Sequence, residues 1–122
     1  MTALHHVNVV VPVGRAEEVA AFYVEALGLG RIAKPPALAG RGGAWLDVDG
    51  RAQVHLSERE GEVHEDSHFA LVVDDFDAVL TRLAYRGASW TEQEDVFGGR
   101  RGYTRDPAGN RVELLEMPDA PA

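Results

Sequence analysis

One pattern of strand, helix and further strands is written twice along this chain of 122 residues. His6-Val-Asn-Val-Val-Val opens the first copy, and His68-Phe-Ala-Leu-Val-Val opens the second, 62 residues later. At the far ends of the copies, Val54-His-Leu corresponds to Val112-Glu-Leu. An internal repeat constrains a fold more firmly than local propensities do, because each copy must form the same supersecondary unit. The sequence therefore predicts a duplicated α+β architecture.

In the first copy, the β-branched run at 4–11 predicts a strand. Apolar residues recur at helical spacing after Arg15 and predict a helix that Gly28 ends. Two prolines and three glycines make 34–43 a predicted loop. The copy closes with two predicted strands, at 44–48 and 52–56, joined by the hairpin signal Asp49-Gly50.

The polar, acidic segment 58–66 predicts a linker, after which the pattern starts again. Asp75 is the predicted N-cap of the second helix, which Gly87 ends. The strands of this copy are predicted at 68–73, 89–91, 102–105 and 111–115, the last two joined by the turn sequence 106–110.

Composition restricts the classes of function. The chain has no cysteine, which excludes disulfides and thiolate metal sites and leaves histidine and carboxylate as metal ligands. A net charge of −8 argues against nucleic acid as a partner, because phosphates would be repelled. No apolar run is long enough to span a membrane, and no signal peptide is visible at the start. We therefore expect a cytoplasmic protein with one folded domain.

Strand periodicity places three polar candidates on one kind of sheet face. Residues alternate between faces with period two, so His6, His55 and Glu113 lie opposite apolar neighbours that we expect to pack on helices. If two such sheets curl towards each other, these side chains and His68 meet. Neutral imidazole and ionised carboxylate are the ligands that a divalent first-row metal takes when thiolate is absent. His5 competes with His6 for the inward position, and His64 is expected to be solvated in the linker.

These segments resemble the vicinal oxygen chelate superfamily, which includes glyoxalase I, fosfomycin and bleomycin resistance proteins and extradiol dioxygenases. The resemblance covers residues 4–116. It rests on five segments: His6-Val-Asn-Val-Val-Val, Ala21-Phe-Tyr-Val-Glu-Ala-Leu-Gly-Leu, Val54-His-Leu, His68-Phe-Ala-Leu-Val-Val and Asp106-Pro-Ala-Gly-Asn-Arg-Val-Glu-Leu.

The resemblance implies two βαβββ modules that form a cupped, barrel-like mixed sheet with helices on the outside. The chain would be a single domain over 1–122, with module 1 at about 4–57, a linker at about 58–66 and module 2 at about 67–116. It also implies one divalent transition metal per site (Fe, Mn, Ni, Co or Zn) and a homodimer whose site is shared between chains. The metal ligands carried over from the family are His6, His55, His68 and Glu113.

Departures from the family pattern bear on the reaction. Glyoxalase I enzymes usually have a proton-transferring Glu where this chain has His55, and an Arg on the first strand where it has Val10. Bleomycin-binding members lack the metal ligands, whereas this chain carries residues able to supply all four. His55 is therefore either a fourth ligand or, if substrate displaces it, a catalytic general base.

Two functions from different classes follow. The first is a metal-dependent enzyme of lyase, isomerase or dioxygenase type, whose small substrate chelates the metal through adjacent oxygens. The second is a drug- or metabolite-binding protein of the bleomycin resistance kind, with a cationic ligand stacked on aromatic side chains in an acidic groove. A third is a fold relative that has lost activity. The candidate substrate-binding residues are Asn8, Trp45, Arg101 and Tyr103.

Overall fold

The computed structural model describes residues 3–116 of the chain. These residues belong to two compact units, Met1–Val63 and His64–Ala122. The boundary between the units falls inside the predicted linker. Each unit contains one helix and four strands in βαβββ order, which confirms the predicted duplication.

Unit 1 is a four-stranded mixed sheet with one helix. Its sheet has the order β1-β4-β3-β2, in which β1 runs parallel to β4 and the other neighbours are antiparallel. In chain order its elements are β1 (His6–Val11), α1 (Ala16–Glu25), β2 (Gly30–Ile32), a 3-10 turn (Pro36–Leu38), β3 (Gly43–Val48) and β4 (Ala52–Glu58).

Unit 2 repeats this topology. Its sheet has the order β5-β8-β7-β6, with β5 parallel to β8 and antiparallel pairs elsewhere. Its elements are β5 (His68–Val72), α2 (Phe76–Tyr85), β6 (Thr91–Gln93), β7 (Arg101–Arg105) and β8 (Arg111–Leu115). Neither helix in the described part of the chain is long and apolar enough to cross a membrane.

One face of each sheet forms the core. In unit 1, Val9, Val11, Leu46, Val54 and Leu56 are buried together with the apolar side of α1, including Val19 and Phe22. In unit 2 the buried set comprises Leu71, Val112 and Leu114 of the sheet and Phe76, Val79 and Leu83 of α2. Burial of alternate strand residues leaves the candidate polar residues on the opposite face, as the periodicity predicted.

The predicted helix ends and turns are present. Asp75 caps α2, since its carboxylate accepts a hydrogen bond from the Ala78 N–H at 3.2 Å. Gly28 and Gly87 follow the helices with φ of 82° and 71°, values that glycine adopts without strain. In the first hairpin, Asp49 and Gly50 both have positive φ, and the Arg51 N–H donates to the Val48 carbonyl.

The turn between β7 and β8 is held by a buried carboxylate. Asp106 accepts hydrogen bonds from the N–H groups of Ala108 and Asn110, both at 2.9 Å, and from the Asn110 side chain at 3.0 Å. This turn fixes the register in which Tyr103 lies opposite Glu113. The sequence 106–110 therefore positions a candidate site residue as well as reversing the chain.

Two details of the predicted strands are wrong. β2, at Gly30–Ile32, was not predicted, because a strand of three residues that itself begins with glycine carries no alternating pattern. The strand predicted at 89–91 is instead β6, Thr91–Gln93, which is two residues later. Both are short edge strands whose existence depends on pairing with β3 and β7 rather than on their own propensity.

Candidate functional site

In unit 1, the three neighbouring strands β1, β4 and β3 present aromatic and polar side chains on the face away from α1. The β1–β4 register places His6 opposite Gln53 and Asn8 opposite His55, and β3 places Trp45 opposite His55. His6 belongs to this face, and its ring stacks on His55 at 4.0 Å between centroids. His5 precedes β1, is exposed, and contacts His6 through their Nδ1 atoms at 2.9 Å.

His55 is the centre of this face. Its ring lies between His6 and Trp45, parallel to the indole within 1° at a centroid distance of 3.8 Å. Its Nε2 is 2.8 Å from Oε1 of Gln53. The Gln53 side chain therefore helps to fix the orientation of the His55 ring on this face. Gln53 was not a sequence candidate, although its place two residues before His55 puts it on the same face.

Electrostatics favour the neutral ring. Burial lowers the pKa of His55 below its ordinary value, and the nearby rings of His6 and then His5 lower it further. At neutral pH, His55 is therefore an uncharged imidazole that can bind a metal or accept a proton.

Asn8 lies on the same face beside His55, since the two residues are opposite each other in the β1–β4 pair. Its side chain accepts a hydrogen bond from the Ser57 hydroxyl.

In unit 2, the candidate ligands His68 and Glu113 are in contact. His68 Nε2 lies 3.2 Å from Oε1 of Glu113, and the guanidinium of Arg101 donates to Oε2 of the same carboxylate at 3.0 Å. The Glu113 side chain is only 8% exposed, and these two partners contact both of its carboxylate oxygens. Two predicted metal ligands and one predicted substrate-binding residue thus form one cluster.

Both ring nitrogens of His68 contact oxygen atoms of unit 2. Its Nδ1 lies 3.0 Å from the Asp66 carbonyl oxygen, which can only accept, so Nδ1 carries a proton. Its Nε2 faces a carboxylate oxygen of Glu113. This contact is favourable either as an ion pair with a protonated ring or with a cation held by both atoms.

Tyr103 connects the cluster to two arginines. Its ring meets His68 edge-to-face at 5.4 Å, and its hydroxyl accepts a hydrogen bond from Arg101 at 3.4 Å. The Arg111 guanidinium lies over the Tyr103 ring at 3.5 Å from the centroid. Arg111 was not a sequence candidate, although it stands two residues before Glu113 and therefore shares its face of the sheet.

The donor chemistry fits a divalent metal only in part. Ligand distances near 2.1 Å place two adjacent ligand atoms about 3 Å apart, and the His68–Glu113 separation matches that spacing. A backbone carbonyl on the second ring nitrogen, as Asp66 provides, is the usual support of a metal-binding histidine. Within the described residues of either unit, however, no group of three His, Asp or Glu side chains converges on one point. Each unit supplies a pair of candidate ligands.

Comparison with known proteins identifies the family. The family model described as Glyoxalase/Bleomycin resistance protein/Dioxygenase superfamily matches residues 3–114. The chain therefore belongs to the glyoxalase, bleomycin resistance protein and dioxygenase superfamily, as the sequence resemblance predicted. A search among curated proteins gave no match.

Solved structures share the fold over nearly the whole chain. A glyoxalase family protein from Bacillus anthracis is 32% identical, with a TM-score of 0.86 and 97% of each chain covered. A lactoylglutathione lyase from Agrobacterium tumefaciens is 25% identical, with a TM-score of 0.71 and coverage of 95% of this chain and 94% of that one. An antibiotic binding protein from Streptomyces sp. CB03234 is 27% identical, with a TM-score of 0.72 and coverage of 97% and 99%. Enzymes and binding proteins are thus both among its structural relatives.

Proposed function

We propose that this chain is a metal-dependent enzyme that acts on a small substrate through two adjacent oxygens. The observation that carries the proposal is the 3.2 Å separation of Nε2 of His68 from Oε1 of Glu113, which places two atoms of metal-ligand type at the spacing that a shared divalent cation requires. His68 and Glu113 are the proposed ligands in unit 2. His6 and His55 are the further ligands that the family resemblance names.

The metal, when bound, would act as a Lewis acid that stabilises negative charge developing on a chelating substrate oxygen. The chain's own residues have separate tasks. Arg101 holds Oε2 of Glu113 and so fixes the orientation of the carboxylate. His55, whose lowered pKa favours the neutral ring, offers a ring-nitrogen lone pair, either as a ligand or as the base that accepts a substrate proton. Trp45 and His6 keep the His55 ring in place from both sides.

Cobalt provides a direct test, because Co²⁺ bound to nitrogen and oxygen ligands has a visible absorption spectrum. Apo protein would be titrated with Co²⁺, and acetohydroxamate, which chelates through two adjacent oxygens, would then be added. We expect a saturable Co²⁺ spectrum that changes on addition of one equivalent of the chelator. The variants His68→Gln and Glu113→Gln should lose the spectrum.

His64→Gln and Glu65→Gln serve as matched controls. Both residues are exposed, and these substitutions remove an imidazole and a carboxylate close to His68 in the sequence. They should bind Co²⁺ as the parent chain does. A parent chain that gives no Co²⁺ spectrum, or a Glu113→Gln variant that retains it, would contradict the proposal. Dependence on His6 and His55 would be measured in the same way with the variants His6→Gln and His55→Gln.

The second candidate function is small-molecule sequestration without chemistry, and one observation favours it. Arg101 already neutralises Glu113 in a contact that is shielded from solvent, and a metal bound to the same carboxylate would be repelled by the guanidinium. The stacked rings of Trp45 and His55 would then serve as a platform for a planar ligand. Absence of Co²⁺ binding with intact folding is the result that selects this function.

A homodimer and a cytoplasmic location remain predictions.

A further inference from the structure

A polar cleft opens on the sheet face of unit 2 beside the His68–Glu113 pair. It has a volume of about 230 Å³ and is lined by Thr104 of β7 and by Ser89, Thr91, Gln93, Tyr103, Arg105 and Arg111. Both charged side chains in this lining are arginines, although the chain as a whole carries a net charge of −8. The cleft is therefore a local concentration of positive charge on an acidic protein.

The two arginines are placed where their charges oppose each other. Arg105 and Arg111 are directly opposite in the antiparallel β7–β8 pair, so their side chains leave the same face of the sheet side by side. Like charges in this position destabilise a sheet. An anion bound between them would convert the repulsion into two attractive contacts.

Most hydrogen-bond donors of these arginines are available. A guanidinium has five N–H groups. Within the described residues, Arg111 donates to Asp66 at 3.5 Å, where the carboxylate is 81% exposed, and Arg105 donates to the Gly109 carbonyl at 3.0 Å. The Arg111 guanidinium also lies over the Tyr103 ring, 3.5 Å from the centroid, and this contact restricts its orientation.

The neutral lining residues add donors of the same kind. The Tyr103 hydroxyl accepts from Arg101, so its own proton is free to be donated. Ser89, Thr91 and Gln93 supply two hydroxyls and an amide. A cationic ligand is disfavoured here, because Arg111 already occupies the ring face on which it would stack.

We infer that this cleft binds the oxyanion group, a carboxylate or a phosphoryl group, of the small molecule that the protein recognises. Arg111 and Arg105 form charge-assisted hydrogen bonds to the anion, and Tyr103 lies between the anion and the His68–Glu113 pair. This inference rests on the proposed function in one respect, which is that unit 2 recognises a small molecule. It assigns the chemical class of that molecule: one that carries an anionic group.

The test is a titration of EDTA-treated, isotopically labelled protein with inorganic phosphate, and separately with acetate, at constant ionic strength set with NaCl. Backbone amide shifts would be followed by NMR. We expect saturable shifts centred on Thr91, Gln93 and Tyr103, and the tighter of the two anions indicates whether the group is phosphoryl or carboxylate. Arg111→Gln should weaken binding about tenfold or more, because it removes charge-assisted hydrogen bonds.

Arg105→Gln provides a second variant at an exposed position, which keeps the test valid if Arg111→Gln does not fold. Arg51→Gln is the matched control, since it removes one exposed arginine from unit 1 and should leave binding unchanged. Shifts that do not saturate, or that are equal in Arg105→Gln, Arg111→Gln and Arg51→Gln, would overturn the inference. Because EDTA removes metal, anion binding here is independent of the Co²⁺ result, and failure of either test leaves the other standing.

Discussion

Thr104, in β7, has a fully buried hydroxyl with no hydrogen-bond partner among the described residues. An unsatisfied buried hydroxyl is a cost to the folded state, and valine has nearly the same shape without that group. We expect Thr104→Val to raise the free energy of unfolding by about 1 kcal/mol.

Urea denaturation at neutral pH would measure this change. Thr81→Val is the matched control, because the Thr81 hydroxyl is exposed and donates to the Asp77 carbonyl. Its effect should stay within about 0.5 kcal/mol. A loss of stability in Thr104→Val would mean that the hydroxyl has a partner, such as a buried water.

His55 makes the stability of the protein depend on pH. Its pKa is lower in the folded chain than in the unfolded chain, so the unfolded chain binds more protons as the pH falls. Stability should therefore fall as the pH drops through the ordinary histidine pKa and level off below the lowered one. In the variant His55→Gln this contribution is absent.

The measurement is the free energy of unfolding at pH 7.5 and pH 5, compared between the parent chain and His55→Gln. We expect a smaller pH dependence in the variant. His64→Gln, which removes an exposed histidine from the linker, should keep the parent's dependence. Equal slopes in all three proteins would show that His55 titrates normally.

At the scale of elements, the two helices begin differently. The Asp75 carboxylate caps α2, whereas Arg15 makes no side-chain cap at the start of α1. Asp75→Ala should destabilise the protein by about 1 kcal/mol. Asp74→Ala, which changes the neighbouring exposed carboxylate, is the control and should have a small effect. Equal losses in the two variants would mean that local charge, not the cap, accounts for the change.

The contact between β6 and β7 depends on a glycine. A Cβ on Gly102 would lie 2.5 Å from both the Thr91 carbonyl oxygen and the Trp90 ring, which is closer than real atoms approach. Gly102→Ala should therefore lower the free energy of unfolding by about 1–3 kcal/mol. At Gly40 the added Cβ would meet no described atom within 4 Å, so Gly40→Ala serves as the control. Thermal denaturation that fails to separate the two variants would contradict the packing of Trp90 on β7.

The elements that the sequence predicted well are those with a strong local signal. β1 is a β-branched run and β5 is a short, mostly apolar run. The helices carry periodic apolar residues, and a glycine follows each of them. β2 and β6 have three residues each, and their position depends on partner strands that lie elsewhere in the sequence. No window around 30–32 or 91–93 contains that information.

The same distinction holds for the candidate site. Strand alternation was enough to place His6 and His55 on one kind of sheet face, where their rings stack. Arg101 and Tyr103 were candidates by position and chemistry alone, and their place beside Glu113 depends on the β7–β8 register. Gln53 and Arg111 lie on those faces too, but surface glutamines and arginines are common, and only their contacts with His55 and Tyr103 single them out. Ring stacking and proton positions depend on side-chain geometry, which spacing along the chain does not specify.

At the scale of the whole molecule, the central question is whether the four candidate ligands hold a metal. The relatives of this chain include a lactoylglutathione lyase and an antibiotic binding protein, so membership in the family leaves enzyme and binding functions open. The His68–Glu113 pair and the neutral His55 ring favour the metal. The Arg101–Glu113 ion pair opposes it.

The most direct measurement is elemental analysis of the purified, untagged protein beside the variants His6→Ala and Glu113→Ala, each after exposure to a mixture of divalent ions and exhaustive dialysis. We expect about one equivalent of a transition metal per chain in the parent protein and a large loss of that metal in both variants. A parent protein that retains no metal, or a Glu113→Ala variant that retains as much as the parent, would contradict the proposed metal site and leave small-molecule sequestration as the function.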